Sequence, residues 1–167
     1  MLRLLDANVL ITANNSYYPI DMVPEFWDWL TYYGEGGEVR MPIETFEEVT
    51  RGGRRDDPLK AWLIEHKTAI LLEEEVDRAL VQRVIGRGYA PDLTDVELEE
   101  IGRDPFLIAY GLARPADRCV VTTEVSAPAK QRANRKIPDV CGALGVMSCN
   151  TFTMLRELNF STGWRRG

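Results

Sequence analysis

The sequence predicts an α/β domain, a three-layer α/β/α sandwich built on a mostly parallel central sheet. Three observations carry that expectation. Short apolar runs (2–5, 38–41, 118–124 and 146–149) alternate with longer stretches whose apolar residues recur at helical spacing. Capping residues and prolines stand before those stretches, with glycines or prolines behind them. With 167 residues the chain can bury one proper core, and strand–helix alternation favours parallel pairing with helices on both faces.

Leu2 to Leu5 reads as a buried first strand, ended by Asp6-Ala7-Asn8. Asp6 then stands at the carboxyl end of a strand, the edge where ligands bind in open α/β sheets. Capping the turn or helix that follows is an equally good use for it. After a turn at Ser16–Pro19, Pro24 to Tyr33 is expected to be a helix with Phe26, Trp29, Leu30 and Tyr33 on one core-facing stripe, stopped by Gly34, Gly36 and Gly37. A short strand over 38–41 leads through Pro42 into a helix from Ile43 to about Arg51 that carries Glu44, Glu47 and Glu48. The glycines in Arg51-Gly52-Gly53-Arg54-Arg55 read as a helix stop rather than an RNA-binding segment.

Asp56-Asp57-Pro58 starts a helix over 59–67, and Glu73 to Arg87 is expected as one long amphipathic helix. Thr94 and Glu97 stand in capping-box register. Asp104-Pro105 opens an apolar helix, and Arg118 to Glu124 is the clearest interior strand, with a carboxylate at its end. A basic loop, Lys130 to Lys136, precedes a short helix from Ile137, a strand at Val146–Cys149 and an Asn150-capped helix to Leu158. One domain over residues 1–167 is expected, with a helical insertion at about 54–102.

No apolar run nears the ~20 residues that span a bilayer, and no basic leader precedes the first strand, so a cytoplasmic protein without membrane contact is expected. Cys119, Cys141 and Cys149 form no CxxC pair and are expected as reduced, mostly buried thiols. The net charge of −6 argues against a nucleic-acid coat. Its distribution is uneven: residues 1–102 hold 10 basic and 21 acidic side chains, residues 103–167 hold 10 and 5. Such asymmetry places a basic face beside an acidic pocket, which suits a polyanionic substrate approaching bound metal, and a mixed surface produces it equally by chance.

Asp6 and Glu124 end strands, Asp104 opens the helix before the Glu124 strand, and Glu48 lies on the helix after residue 41. Two like charges at 4 Å repel by about 4 kcal/mol at an effective dielectric near 20. Four converging carboxylates therefore call for protonation or a cation. An oxygen-only set points to Mg²⁺ or Mn²⁺, and such ions suit phosphodiester hydrolysis. His66, the sole histidine, reads as structural, and no glycine-rich phosphate loop is present.

Leu4-Leu-Asp6-Ala-Asn8-Val-Leu-Ile11 resembles the opening motif of PIN-domain nucleases, the superfamily that includes VapC-like toxin ribonucleases. Glu48-Val49 resembles its second motif, Asp104 with Ala109 and Ala113 its third, and Val120-Val-Thr122-Thr-Glu124 its fourth. Glu124 departs from the usual Asp, and the insertion is longer than in compact toxin members. The resemblance extends softly to a less characterised PIN-like branch through Lys136 to Cys141. It implies that Asp6, Glu48, Asp104 and Glu124 ligate Mg²⁺ or Mn²⁺ directly or through water, supported by Asn8 and Thr122, with Asp117, Asp139 and Glu44 in reserve. It also implies an RNA substrate, a homodimer and an antitoxin partner. Lys130, Arg132, Arg135 and Lys136 are candidate phosphate contacts. Two alternatives stand beside it: a catalytically weak PIN-like scaffold bound by a partner protein, and an Asp-dependent phosphoryl-transfer or receiver-type domain. The latter lacks a phosphoacceptor Asp on a third strand.

Overall fold

The structure, a computed structural model, describes residues 1–52 and 56–166. Four strands, β1 (Leu2–Leu5), β2 (Val39–Arg40), β3 (Arg118–Val121) and β4 (Met147–Cys149), form one all-parallel sheet in the order β2-β1-β3-β4. Around it, among the described residues, run α1 (Ala7–Thr12), α2 (Pro24–Glu35), α3 (Ile43–Arg51), α4 (Pro58–Glu65), α5 (Lys67–Ile70), α6 (Arg78–Arg83), α7 (Asp95–Ile101), α8 (Asp104–Ala113), α9 (Ile137–Leu144) and α10 (Thr151–Glu157). Two π-helical stretches, Ala13–Tyr17 and Val84–Tyr89, prolong α1 and α6.

Side chains alternate across a strand, so neighbouring residues feed opposite cores. Leu5 and Val121 pack with Leu10, Phe26, Trp29, Phe46 and Met154 on one face. Leu4 and Val120 pack with Val84, Leu107, Ile108, Ile137 and Val140 on the other. The result is the expected α/β/α sandwich. Phe26, Trp29 and Leu30 are fully buried, as their helical spacing requires. Against the second face, α8 lies so close to the sheet that a Cβ on Gly111 would stand 2.7 Å from Val146 Cγ1.

Three expected elements differ. The helix expected over 73–87 starts only at Arg78, where Asp77 accepts from the backbone N–H of Ala79 (2.8 Å) and caps it. The residues before it are drawn away: Leu72 N–H donates to Met41 O at 2.9 Å, beyond the end of β2. Glu74 then receives both carboxylate bonds of buried Arg118 at 2.7 Å. The strand expected to reach Glu124 stops at Val121, because Thr122 turns its hydroxyl to Asp6. The helix expected over 59–67 breaks at His66, whose Nδ1 lies 2.9 Å from Trp62 O and whose ring stacks on Trp62. The helix stop at Gly52 is the C-cap of α3; the rest of that segment, Gly53-Arg54-Arg55, lies outside the described residues.

Candidate active site

Register fixes the first pair of site residues. Leu5 pairs with Val121, so Asp6 and Thr122 leave the sheet side by side. Asp6 N–H donates to Val121 O (2.9 Å) and Thr122 N–H to Cys149 O (3.1 Å). Thr122 Oγ1 donates to Asp6 Oδ2 at 2.8 Å, and the Glu124 N–H donates to Thr122 Oγ1 at 3.1 Å. Asp6 is 3% exposed. It occupies the N-cap position of α1 without making a capping hydrogen bond, so the carboxylate is directed to Thr122 instead. The side chain of Asn8 is exposed and its backbone N–H only eases the Asp6 charge.

Asp104 is the first residue of α8, with Pro105 at a position where a missing N–H costs nothing. The preceding Arg103 donates to Glu44 O (2.6 Å) and to the Glu47 carboxylate (3.2 Å), tying the start of α8 to α3. That bond brings the helix carrying exposed Glu48 towards Asp104. Burial pushes the Asp6 carboxyl up to about 6, with the Glu48 and Glu124 charges adding and the Thr122 bond opposing. Burial pushes Asp104 up to about 7, the charges of Asp6, Glu124 and Glu48 adding and Lys136 opposing. Asp6 thus lies in the field of Glu48 and Glu124, and Asp104 in that of Asp6, Glu124 and Glu48.

They do not form a ready cage. Among the described residues, no three His, Cys, Asp or Glu side chains are grouped to hold an ion. Repulsion reaches across a cleft, whereas ligation needs oxygen contacts of roughly 2.0–2.6 Å. Mg²⁺ commonly takes one or two carboxylates and keeps water elsewhere, and this all-oxygen donor set fits that habit. Glu124 fits it least: Lys136 Nζ donates to one oxygen (3.0 Å) and Ile137 N–H to the other (2.7 Å), so the carboxylate caps α9.

The reserves are placed elsewhere. Asp117 precedes β3, at the opposite end of the strand from Thr122. Asp139 accepts from Ser126 Oγ and Ala127 N–H, and Glu44 lies by the Tyr110 hydroxyl. The basic loop is mostly engaged within the chain. Arg132 pairs with Asp92 (2.8 Å) and Glu97 (2.6 Å), Arg135 donates to Gly88 O and Asp139 O, and Lys136 pairs with Glu124. Lys130 is exposed, with no side-chain bond among the described residues. A cavity of about 920 Å³ lies elsewhere, between α2 and the C-terminal segment, and none of the four acids lines it. Sequence reasoning missed two residues: Arg103, which ties the start of α8 to α3, and Tyr89, a buried phenol that feels the charges of Asp104 and Glu124. Neither carried a motif; only the fold brings them in.

The fold and these residues define an α/β/α protein with an acidic centre at the carboxyl edge of a parallel sheet. The model of a family described as a domain of unknown function, DUF4411, matches residues 4–162, and the chain belongs to that family. No curated protein and no solved structure matches it. Among the described residues no helix is long and apolar enough to cross a membrane.

Proposed function

We propose that this chain is a Mg²⁺- or Mn²⁺-dependent nuclease that hydrolyses RNA phosphodiester bonds at the acidic centre. One observation carries the reading. Asp6 and Asp104 are held in each other's field with two further carboxylates near, and neither has a salt-bridge partner among the described residues. A hard cation relieves that repulsion; when bound it activates water and neutralises phosphoryl charge. Asp6 and Asp104 would hold it, with Glu48 acting through water. Thr122 keeps the Asp6 carboxylate oriented by its 2.8 Å bond. Glu124 steadies Lys136, whose charge acts on Asp104 and would meet a phosphate at the centre.

RNA as substrate, action as the toxin of a toxin–antitoxin pair, a homodimer and cytoplasmic location follow from the likeness of the four motifs to PIN-domain nucleases. Incubation of a mixed RNA pool with and without Mn²⁺ tests the activity. Cleavage that needs the ion and disappears in Asp6→Asn is expected; ion-independent or absent cleavage rejects it. Sedimentation at micromolar concentration tests the dimer. The engagement of both Glu124 oxygens favours a second reading, a catalytically weak PIN-like scaffold, which would bind no divalent ion in a calorimetric titration.

A further inference from the structure

The cavity of about 920 Å³ between α2 and the C-terminal segment falls in the size range of ligand sites, roughly 300–1,000 Å³. Tyr32, Tyr33 and Trp164 line it, and the rings of Tyr32 and Trp164 stand 5.1 Å apart at 47°. Two of these rings are held in place. Trp164 Nε1 donates to Glu25 O at 3.1 Å, and the Tyr33 hydroxyl donates to Leu158 O at 3.0 Å. Tyr32 is nonetheless 56% exposed, so an aromatic face is left open to solvent. Besides His66, whose ring stacks on Trp62, the titratable and charged side chains at the wall are Asp28, Glu35, Arg165 and the two tyrosines. A smaller adjoining cavity, which shares Asp28, Trp164 and Arg165, adds Glu25. Glu25 and Glu35 are exposed and make no ion pair among the described residues.

One cation already sits there. The Arg165 guanidinium lies 5.1 Å from the centre of the Trp164 ring, and its Nη2 is 3.3 Å from Asp28 Oδ2. Stacking by the face and pairing by the edge is what a planar guanidinium does and a compact ammonium does poorly. The Arg165 and Asp28 side chains are 66% and 52% exposed, so their pair holds the position weakly. The rim carboxylates repel a phosphate-bearing ligand and draw a cation. The cavity is far larger than one guanidinium, which leaves room for the chain that brings it. We propose that this cavity binds an arginine-bearing peptide segment of a partner protein, whose guanidinium displaces Arg165 from the Trp164 ring and the Asp28 carboxylate. Arg165 is then an internal competitor that sets the affinity. The proposal stands apart from the nuclease reading, because none of the four acids lines this cavity.

Fluorescence anisotropy with a labelled Gly-Gly-Arg-Gly-Gly peptide at low ionic strength tests it, with the lysine counterpart and N-acetyl-arginine amide as competitors. Wild type is compared with Asp28→Asn, Trp164→Ala, Arg165→Gln and, as a control for the acidic centre, Asp6→Asn. Asp28 and Arg165 are exposed, so their variants report on binding even if Trp164→Ala loosens the C-terminal segment. Saturable binding to wild type is expected, weakened roughly fivefold or more in Asp28→Asn and Trp164→Ala and unchanged in Asp6→Asn. Arg165→Gln should bind roughly threefold or more tightly, a gain that a merely structural Arg165 would not give. The lysine peptide should compete several-fold less well than the arginine peptide. No saturable binding to wild type or Arg165→Gln overturns the proposal, as does weaker binding in Arg165→Gln. Equal competition by lysine assigns the binding to bulk charge, and a loss in Asp6→Asn assigns it to the acidic centre; either result overturns it. N-acetyl-arginine amide that binds as tightly as the peptide overturns the peptide as occupant in favour of a small guanidinium ligand.

Discussion

A carboxylate buried near other carboxylates holds its proton longer, and at Asp6 and Asp104 this has consequences for stability. Both groups ionise near 3.8 when unperturbed, and in the folded chain burial and their neighbours move them to about 6 and about 7. Between those limits the folded state binds more protons than the unfolded one. The stability these groups contribute is therefore complete below about pH 4 and is lost as pH rises through 6 and 7. Metal-free melting temperatures measured from pH 5 to 8 should fall more steeply in wild type than in Asp6→Asn; parallel curves would contradict this. At pH 8 Asp6→Asn should stabilise the metal-free protein by roughly 1–3 kcal/mol, since the amide keeps an acceptor for Thr122 and removes a buried charge. The same substitution should lower RNA cleavage by roughly 10²-fold or more, the scale of losing a group that stabilises the transition state. A residue whose removal stabilises and inactivates is held for chemistry rather than for the fold.

Elements built on local signals were legible before the structure. The Thr94–Glu97 capping box forms with both of its bonds, the Asn150 side chain accepts from Thr153 N–H, and the α2 stripe is core. What local signals could not carry were partners distant in sequence. Glu73 to Asp77 has the composition of a helix start, but Arg118, 44 residues on, claims Glu74, and the end of β2 claims Leu72. Asp6 and Thr122, each one residue beyond a strand, were legible because strand ends are; the capture of Glu124 by Lys136 and the α9 N-terminus depends on where a loop returns. Tyr89 was invisible because a buried phenol without a hydrogen-bond partner among the described residues is defined only by three-dimensional surroundings. Close packing of α8 on the sheet makes a prediction at this scale. Gly111→Ala gains about 1 kcal/mol of helix propensity. The new methyl would meet the stiff β-branched Val146 at 2.7 Å and Val120 at 3.1 Å, and overpacking costs about 1–3 kcal/mol. Net destabilisation is expected in urea unfolding; a more stable variant would show that α8 can retreat from β3.

Across the whole molecule, the acidic first part and basic last part largely answer each other. Arg103 pairs with Glu47 on α3, and Arg118 with Glu74 and Arg132 with Asp92 and Glu97 fasten the insertion to the rest, so much of the basic surplus read from sequence is engaged within the chain. Exposed pairs among these contribute little each. At the sheet edge Asp6 and Asp104 have no salt-bridge partner among the described residues and their carboxyls are pushed up to about 6 and about 7, which makes the centre the place where an added cation acts on the entire fold. Mn²⁺ at 100 times its dissociation constant should stabilise the native state by about 2.7 kcal/mol, read as a rise in melting temperature that is lost in Asp104→Asn. The most direct measurement is a calorimetric titration of wild type, Asp6→Asn and Asp104→Asn with Mn²⁺ at pH 8, where both acids are ionised. Saturable binding to wild type that is weakened at least tenfold in each variant is the predicted result, and a wild-type titration without binding heat, or variants that bind as wild type does, would contradict it.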